Sequence, residues 1–323
     1  MCRRILKTIV LILAAAAVVC GAAHAQSNSG ARLITVIEQS NQLFIGAAGG
    51  MTLRYDLMTG QFSIFRQGGE LTVYNAVAVI QGGGAAQTDY DFKGADKMNW
   101  YVEDIAPAGA TGTRVFITRE RPDLGVAFVQ QITAYRNAHG VVFRAGVINR
   151  SGKDFVVSKI SLLVASPEKG GAVFLGLDPK KAKIYESLEP DCGPDKVDND
   201  KVCFISSLSS NGMPEYANIS AGYDSIAGRG IAAGYITADY SGKASVGLYP
   251  PNIDAGLLVT DPDTERVGLV MSASQYTGSV KIGPGKSVLS DAFGFVQSWV
   301  APVAELEDLG RLAALERPET KKI

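Results

Sequence analysis

Histidine is nearly absent from this sequence, with 2 in 323 residues. That scarcity excludes most histidine-based chemistry before any motif is read. Charge is sparse as well: 20% of residues are Asp, Glu, Lys or Arg, and the net charge is -1. There is no basic surplus to attract nucleic acid, so no nucleic-acid partner is expected. Set against 46% hydrophobic residues, the thin charge also excludes intrinsic disorder and a coiled coil.

Cysteine is scarce too, and the first residues make it scarcer. The chain opens with Arg3, Arg4 and Lys7, then runs uncharged and apolar from Ile9 to Ala23, ending in Ala23-His24-Ala25. A basic start, an apolar middle and an A-x-A-like end are the layout of a secretory signal peptide over residues 1–25. The run falls short of the roughly 20 apolar residues a spanning helix needs, which argues against an uncleaved anchor. Cys20 invites a lipoprotein reading, but Val18-Val19 stand where a lipobox places a small residue. The expectation is an exported protein, periplasmic or secreted, with no membrane attachment after cleavage. Cys2, Cys20 and His24 leave with the signal, so Cys192, Cys203 and His139 remain.

Two cysteines close together in an exported chain predict one disulfide, Cys192 to Cys203. It would close a loop of about ten residues, a length at which chain entropy favours the bridge by roughly 2 to 3 kcal/mol. Catalytic redox pairs sit closer, typically as C-x-x-C.

What is present in quantity is alternation. Thr52–Leu57 and Gln61–Phe65 flank Met58-Thr59-Gly60 as a hairpin. Gly125–Tyr135 and Val141–Ile148 flank a second turn at residues 136–140. Further strands are expected over Arg114–Thr118, Phe155–Val164, Gly230–Thr237, Gly256–Val259, Val267–Ala273 and Ser287–Phe295. Short strands bounded by Gly, Pro, Asn or Asp indicate an all-β sandwich or barrel. Gly46–Gly50, Gly82–Gly84 and Gly228–Gly230 lack the following helix that a phosphate loop requires, so they read as turns. Only the end changes character: Val303–Leu315 sets Leu306, Leu309 and Ala313 at helical spacing.

Several segments together resemble one family. They are Leu53-Arg-Tyr-Asp56 with Thr59-Gly60-Gln-Phe62, and Gln131–Tyr135 with Val147-Ile-Asn-Arg-Ser-Gly152. Ile282-Gly-Pro-Gly-Lys286, Ser290-Asp291 and Leu306-Glu307 complete the set. In order and spacing they are similar to the N-terminal β-supersandwich of melibiase-type α-galactosidases and raffinose-synthase-like proteins, a fold shared with galactose-mutarotase-like proteins. The resemblance implies a large two-sheet antiparallel supersandwich over residues 26–302, with residues 303–323 as a helix and charged tail leading to a missing barrel. In that family a (β/α)8 barrel carries the two catalytic aspartates, and no position here matches either. Catalytic residues are therefore expected to be none in this chain.

The residues offer little other chemistry. Asp89, Asp91, Asp104, Asp178, Asp198, Asp200, Asp224, Asp254, Asp261 and Asp263 are expected mostly in turns, where carboxylates cap backbone amides. His139, at a hairpin tip, reads as a solvated turn residue, which leaves neither a Ser-His-Asp triad nor histidine-ligated zinc. Asp195, Asp198, Asn199 and Asp200 lack the spacing of a calcium loop, so no metal and no cofactor are expected. The stretch Thr88–Lys93 with Asn99–Asp104 pairs rings with short carboxylates, the combination that stacks on a sugar face and accepts its hydroxyl protons. Asp89, Asp91, Trp100 and Tyr101 are thus the carbohydrate-contact candidates, with core packing as the structural reading of Trp100. Trp299 is expected to pack the terminal helix. Sequons stand at Asn149 and Asn218.

The functional expectation is an exported carbohydrate-associated sandwich, the non-catalytic domain of an α-galactosidase-like glycoside hydrolase. Its partners would be an α-galactoside or another carbohydrate and a catalytic barrel in a longer or neighbouring chain. The alternative is a stand-alone periplasmic carbohydrate-binding or structural protein without hydrolase activity.

Overall fold

A computed structural model describes residues 35–82, 87–107, 110–175, 183–188, 203–205, 217–224, 229–237, 244–249, 258–261, 268–298 and 302–316. The first strands run β1 (Thr35–Gln39), β2 (Gln42–Gly46), β3 (Thr52–Asp56), β4 (Phe62–Phe65), β5 (Leu71–Gly82) and β6 (Thr88–Asp91). Next come β7 (Asn99–Ile105), β8 (Gly112–Arg121), β9 (Val126–Tyr135), β10 (Val141–Asn149), β11 (Phe155–Ala165) and β12 (Ala172–Val173). The later strands are β13 (Lys183–Leu188), β14 (Cys203–Ile205), β15 (Ala217–Asp224), β16 (Arg229–Tyr235) and β17 (Ala244–Tyr249). Last are β18 (Val270–Ile282), β19 (Ser287–Leu289), β20 (Phe293–Ser298) and the helix α1 (Pro302–Glu316).

These strands form two antiparallel sheets. Sheet I runs β1-β2-β3-β4-β5-β11-β18-β17, with β6 and β12 also paired to β5. Sheet II runs β14-β13-β15-β16-β20-β10-β9-β8-β7, with β19 on β10. The all-β supersandwich expected from the sequence is the fold observed. Among the described residues no helix is long and apolar enough to cross a membrane.

The core lies between the sheets. Phe62 of sheet I stacks on Phe143 of sheet II with ring centroids 5.3 Å apart, and Phe143 meets Phe293 at 6.4 Å. A buried cation, Arg119, sits in this interior. Arg119 is 3% exposed and donates to the carbonyl oxygens of Phe92 (2.9 Å), Met58 (2.8 Å), Leu57 (3.3 Å) and Asp96. It thereby fastens the β3–β4 turn and the crossing from β6 to β7, because a buried carbonyl without a donor is costly.

Both predicted hairpins form. In the first, Asp56 Oδ1 accepts from the amides of Met58 (2.8 Å) and Thr59 (3.0 Å), and Gly60 takes φ +73°. A Cβ at Gly60 would lie 2.4 Å from Phe92 Cβ, so both the turn and the close approach require glycine. Two other resemblance segments meet at the rim of the sandwich. Asn149, fully buried, donates through Nδ2 to the carbonyls of Lys153 and Ile282, each at 2.7 Å, and so ties sheet II to sheet I. Both amide hydrogens being committed, the Asn149 sequon is not a glycan acceptor in the folded protein.

Some expectations change. The strand predicted over Ser287–Phe295 is two, because the Ser290 hydroxyl accepts the Ala145 amide and the Asp291 amide donates to Gln275 Oε1, which bends the chain between β19 and β20. The strand predicted from Val267 begins at Val270 and runs on to Ile282. Half of Gly256–Val259 lies outside the described residues, and the other half, Leu258 and Val259, is not in a strand. Asp89, Asp91, Asp104 and Asp224 lie in strands rather than turns. Helix α1 rests on its Leu309–Leu312 side, 3% and 0% exposed, while Leu306 is 36% exposed. Gly294 on β20 allows that approach, since a Cβ there would meet Leu309 Cδ1 at 2.6 Å. Trp299, Cys192 and the residue 195–200 cluster lie outside the described residues, so the Cys192–Cys203 bridge does too.

Candidate functional site

The four candidates occupy two different sheets. Asp89 and Asp91 stand on β6 of sheet I, whereas Trp100 and Tyr101 stand on β7, the edge of sheet II. Strand periodicity sends Trp100 and Tyr101 to opposite faces. Trp100 turns inward and packs against the core. Its indole N–H donates to Glu38 Oε2 at 2.8 Å, and Lys97 pairs with the other oxygen. These two donors hold the Glu38 carboxyl below the usual carboxylate range. Because Glu38 lies on β1, the cluster links the edges of the two sheets, which is a structural task. Asp89 accepts from Gln81 Nε2 at 2.9 Å, and Asp91 Oδ1 caps the Lys93 amide at 3.1 Å.

Tyr101 points outward and is 57% exposed. Its ring is stacked on Phe116 of β8, centroids 4.5 Å apart and planes within 10°. That separation nearly equals the roughly 4.8 Å spacing between strands, so the rings stand side by side on the sheet. One face of Tyr101 is covered by Phe116. The other looks past β7, beyond which sheet II has no strand among the described residues.

Register extends this pair into a row. Tyr101 opposes Phe116, Phe116 opposes Gln131, and Gln131 opposes Arg144 across β7, β8, β9 and β10. In the neighbouring row Glu103 opposes Arg114, whose Nε donates to Thr133 Oγ1 at 3.0 Å. At the far end Arg144 donates to Glu316 Oε2 at 3.1 Å and to the Ser290 carbonyl at 3.2 Å. Tyr135 donates to the other Glu316 oxygen, and burial with that carboxylate raises the phenol well above its ordinary value. The outer face of sheet II therefore has a half covered by α1 and an open half ending at Tyr101.

Phe116, Gln131 and Arg144 are not among the contact candidates that the sequence offers. Each sits on the polar-out phase of a strand, but only the strand register aligns them. His139 is exposed as expected, with Nδ1 3.5 Å from Asp308 of α1. Among the described residues no group of three or more His, Cys, Asp or Glu is placed to hold a metal.

No family model matches the sequence, and no curated protein matches it. Solved structures do. An alpha-N-acetylgalactosaminidase from Bifidobacterium bifidum, in complex with GalNAc, aligns over 87% of this chain and 39% of its own at 11% identity and TM-score 0.50. A GH36 alpha-galactosidase from Geobacillus stearothermophilus aligns over 83% and 41% at 11% identity and TM-score 0.52. A galactose mutarotase-like protein from Clostridium acetobutylicum aligns over 83% and 98% at 9% identity and TM-score 0.48. At these identities the likeness is one of fold, the sandwich portion of the GH36 enzymes. This chain spans about two fifths of the length of the two glycosidases.

Proposed function

We propose that this chain is an exported, carbohydrate-associated β-sandwich that serves as the non-catalytic partner of an α-galactosidase-like hydrolase domain. One observation carries the reading: more than four fifths of the chain shares its fold with about two fifths of enzymes named for α-galactosidase and α-N-acetylgalactosaminidase activity. The carboxylates fit a non-catalytic role. Retaining hydrolysis uses two carboxyl groups about 5 Å apart around the scissile bond. Here Glu316 is held by Tyr135 and Arg144, Asp89 by Gln81, and Asp91 by the Lys93 amide. Export rests on the basic, apolar and A-x-A-like order of residues 1–25.

The test is hydrolysis of nitrophenyl α-galactoside and nitrophenyl N-acetyl-α-galactosaminide by the purified chain, alone and mixed with the product of the adjoining reading frame. No turnover alone and turnover in the mixture is the expected result. Turnover by the chain alone overturns the reading. Residue Gln26 is expected at the N-terminus of the exported protein; an intact Met1 there removes the cleaved signal. A stand-alone binding protein is the second reading, favoured by the Tyr101–Phe116 pair, which faces solvent without help from another domain.

A further inference from the structure

We infer that the outer edge of β7 is a sugar-stacking site, in which the free ring face of Tyr101, backed by Phe116 and flanked by Asn99 and Glu103, takes a neutral hexopyranose unit of an oligosaccharide. The inference rests on the carbohydrate-associated reading of the chain and gives it a place and a ligand class.

Among the described residues Tyr101 is the most exposed of the large apolar side chains, at 57%. An isolated tyrosine so exposed would swing through several rotamers and lose that freedom on binding. Phe116 removes much of this cost in advance, because a parallel partner at 4.5 Å fixes the ring plane before any ligand arrives. The fixed plane leaves one face open, and that face looks sideways off the sheet.

A pyranose matches this shape. Its C–H face is apolar and suits an aromatic ring, while its rim of hydroxyls both donates and accepts. Strand periodicity supplies the rim partners: Asn99 and Glu103 share the outer face with Tyr101, roughly 7 Å away in either direction along β7. Both are exposed. The Asn99 amide donates and accepts, and Glu103 accepts. Backbone groups of the edge strand that β8 does not use add further partners. Glu103 also selects, since a carboxylate at the rim repels uronic and other acidic sugars. An edge is open at both ends, so the site suits a unit within a chain as well as a terminal one.

The full chain is titrated calorimetrically with melibiose, raffinose, N-acetylgalactosamine and cellotriose, with galacturonate as the acidic control. Saturable binding of at least one neutral sugar is expected, on the order of millimolar because one open face buries little of the ligand, with none of galacturonate. Tyr101→Ala is expected to weaken it at least about tenfold, the loss of one stacking contact, while Tyr101→Trp preserves or tightens it. Glu103→Gln has a smaller effect, and Trp100→Phe none, since that indole faces the other side. Thermal melts of each variant establish that it folds.

Neutral-sugar binding at wild-type strength in Tyr101→Ala overturns the site and leaves the carbohydrate reading standing. No saturable binding of any neutral probe also overturns the site; the hydrolase partnership is then judged separately by the mixing assay above. If Tyr101→Ala instead converts a wild-type dimer into a monomer, with no effect on sugar, the ring face is a contact between copies and the inference falls.

Discussion

Each sheet carries on its outer face a cross-strand row that includes an exposed tyrosine, yet the two rows are built differently. On sheet I the register aligns Asp89, Gln81, Lys159 and Tyr276 across β6, β5, β11 and β18. Gln81 donates to Asp89, the Ser158 hydroxyl donates to Gln81 Oε1 at 3.2 Å, and the Lys159 ammonium lies 5.9 Å from the centre of the Tyr276 ring. The polar groups of that row are spent on one another, and a cation occupies the ring. On sheet II the backing of Tyr101 is aromatic, and among the described residues no ring or cation is stacked on its other face. Tyr276 is 45% exposed and Tyr101 57%, so exposure barely separates them. What separates them is whether the ring face and its polar neighbours are already engaged.

The comparison breaks most visibly in the covered half of sheet II. Leu312→Ala removes a side chain with no exposure from under α1 and is expected to cost about 2 to 4 kcal/mol, read by urea unfolding. Dye binding to the uncovered apolar face should rise with it. Glu316→Gln weakens the bonds from Tyr135 and Arg144, and a loss of about 1 to 3 kcal/mol is expected, greater than for Glu307→Gln on the exposed side of the same helix.

Tyr135 sharpens the same region by pH. Its phenol is held above the ordinary value near 10, first by burial and then by the bond to Glu316. A raised folded-state value means this stabilisation is complete below about pH 10 and is lost as pH rises through the folded value. The decline approaches about 1.4 kcal/mol per pH unit for this one group, and Tyr135→Phe should flatten the alkaline limb by that amount. An equal slope in the variant would show that Tyr135 plays no part.

Effects on the two open rows should be small and informative for that reason. Lys159→Gln is expected to cost about 0.5 to 1 kcal/mol through the lost cation–π contact. Tyr101→Ala should cost less than about 1.5 kcal/mol, the lost Phe116 stacking, and leave cooperative unfolding intact. A larger loss would mean that the open row is structural.

Much of the fold was legible because half-buried strands advertise themselves by alternation. Thr52–Phe65 and Gly125–Ile148 are read correctly for that reason. The strand β5 is missed because Ala76–Ile80 is buried on both faces and reads as an unbroken apolar run, and because Asn75, at φ +46°, interrupts its middle. The partners of β11 cannot be read locally: Ile160 pairs with Ile80 on one side and Gln275 on the other. The site shows the same limit. Trp100-Tyr101 stands out in the sequence as an aromatic pair, but a period of two sends the rings to opposite faces, and Phe116 joins Tyr101 only through the β7–β8 register. The resemblance segments are structural fastenings, as the Gly60 turn and the Asn149 tie between sheets make plain.

The strand order also dictates when the sandwich can close. The strand β18 lies between β11 and β17 in sheet I, and β20 lies between β16 and β10 in sheet II. Both sheets thus keep a vacancy in their interior until residues 270–298 have been made. Pairings of such long sequence separation form slowly. A chain whose last strands complete both sheets stays open while it is being synthesised, and it locks only after its C-terminal part has followed.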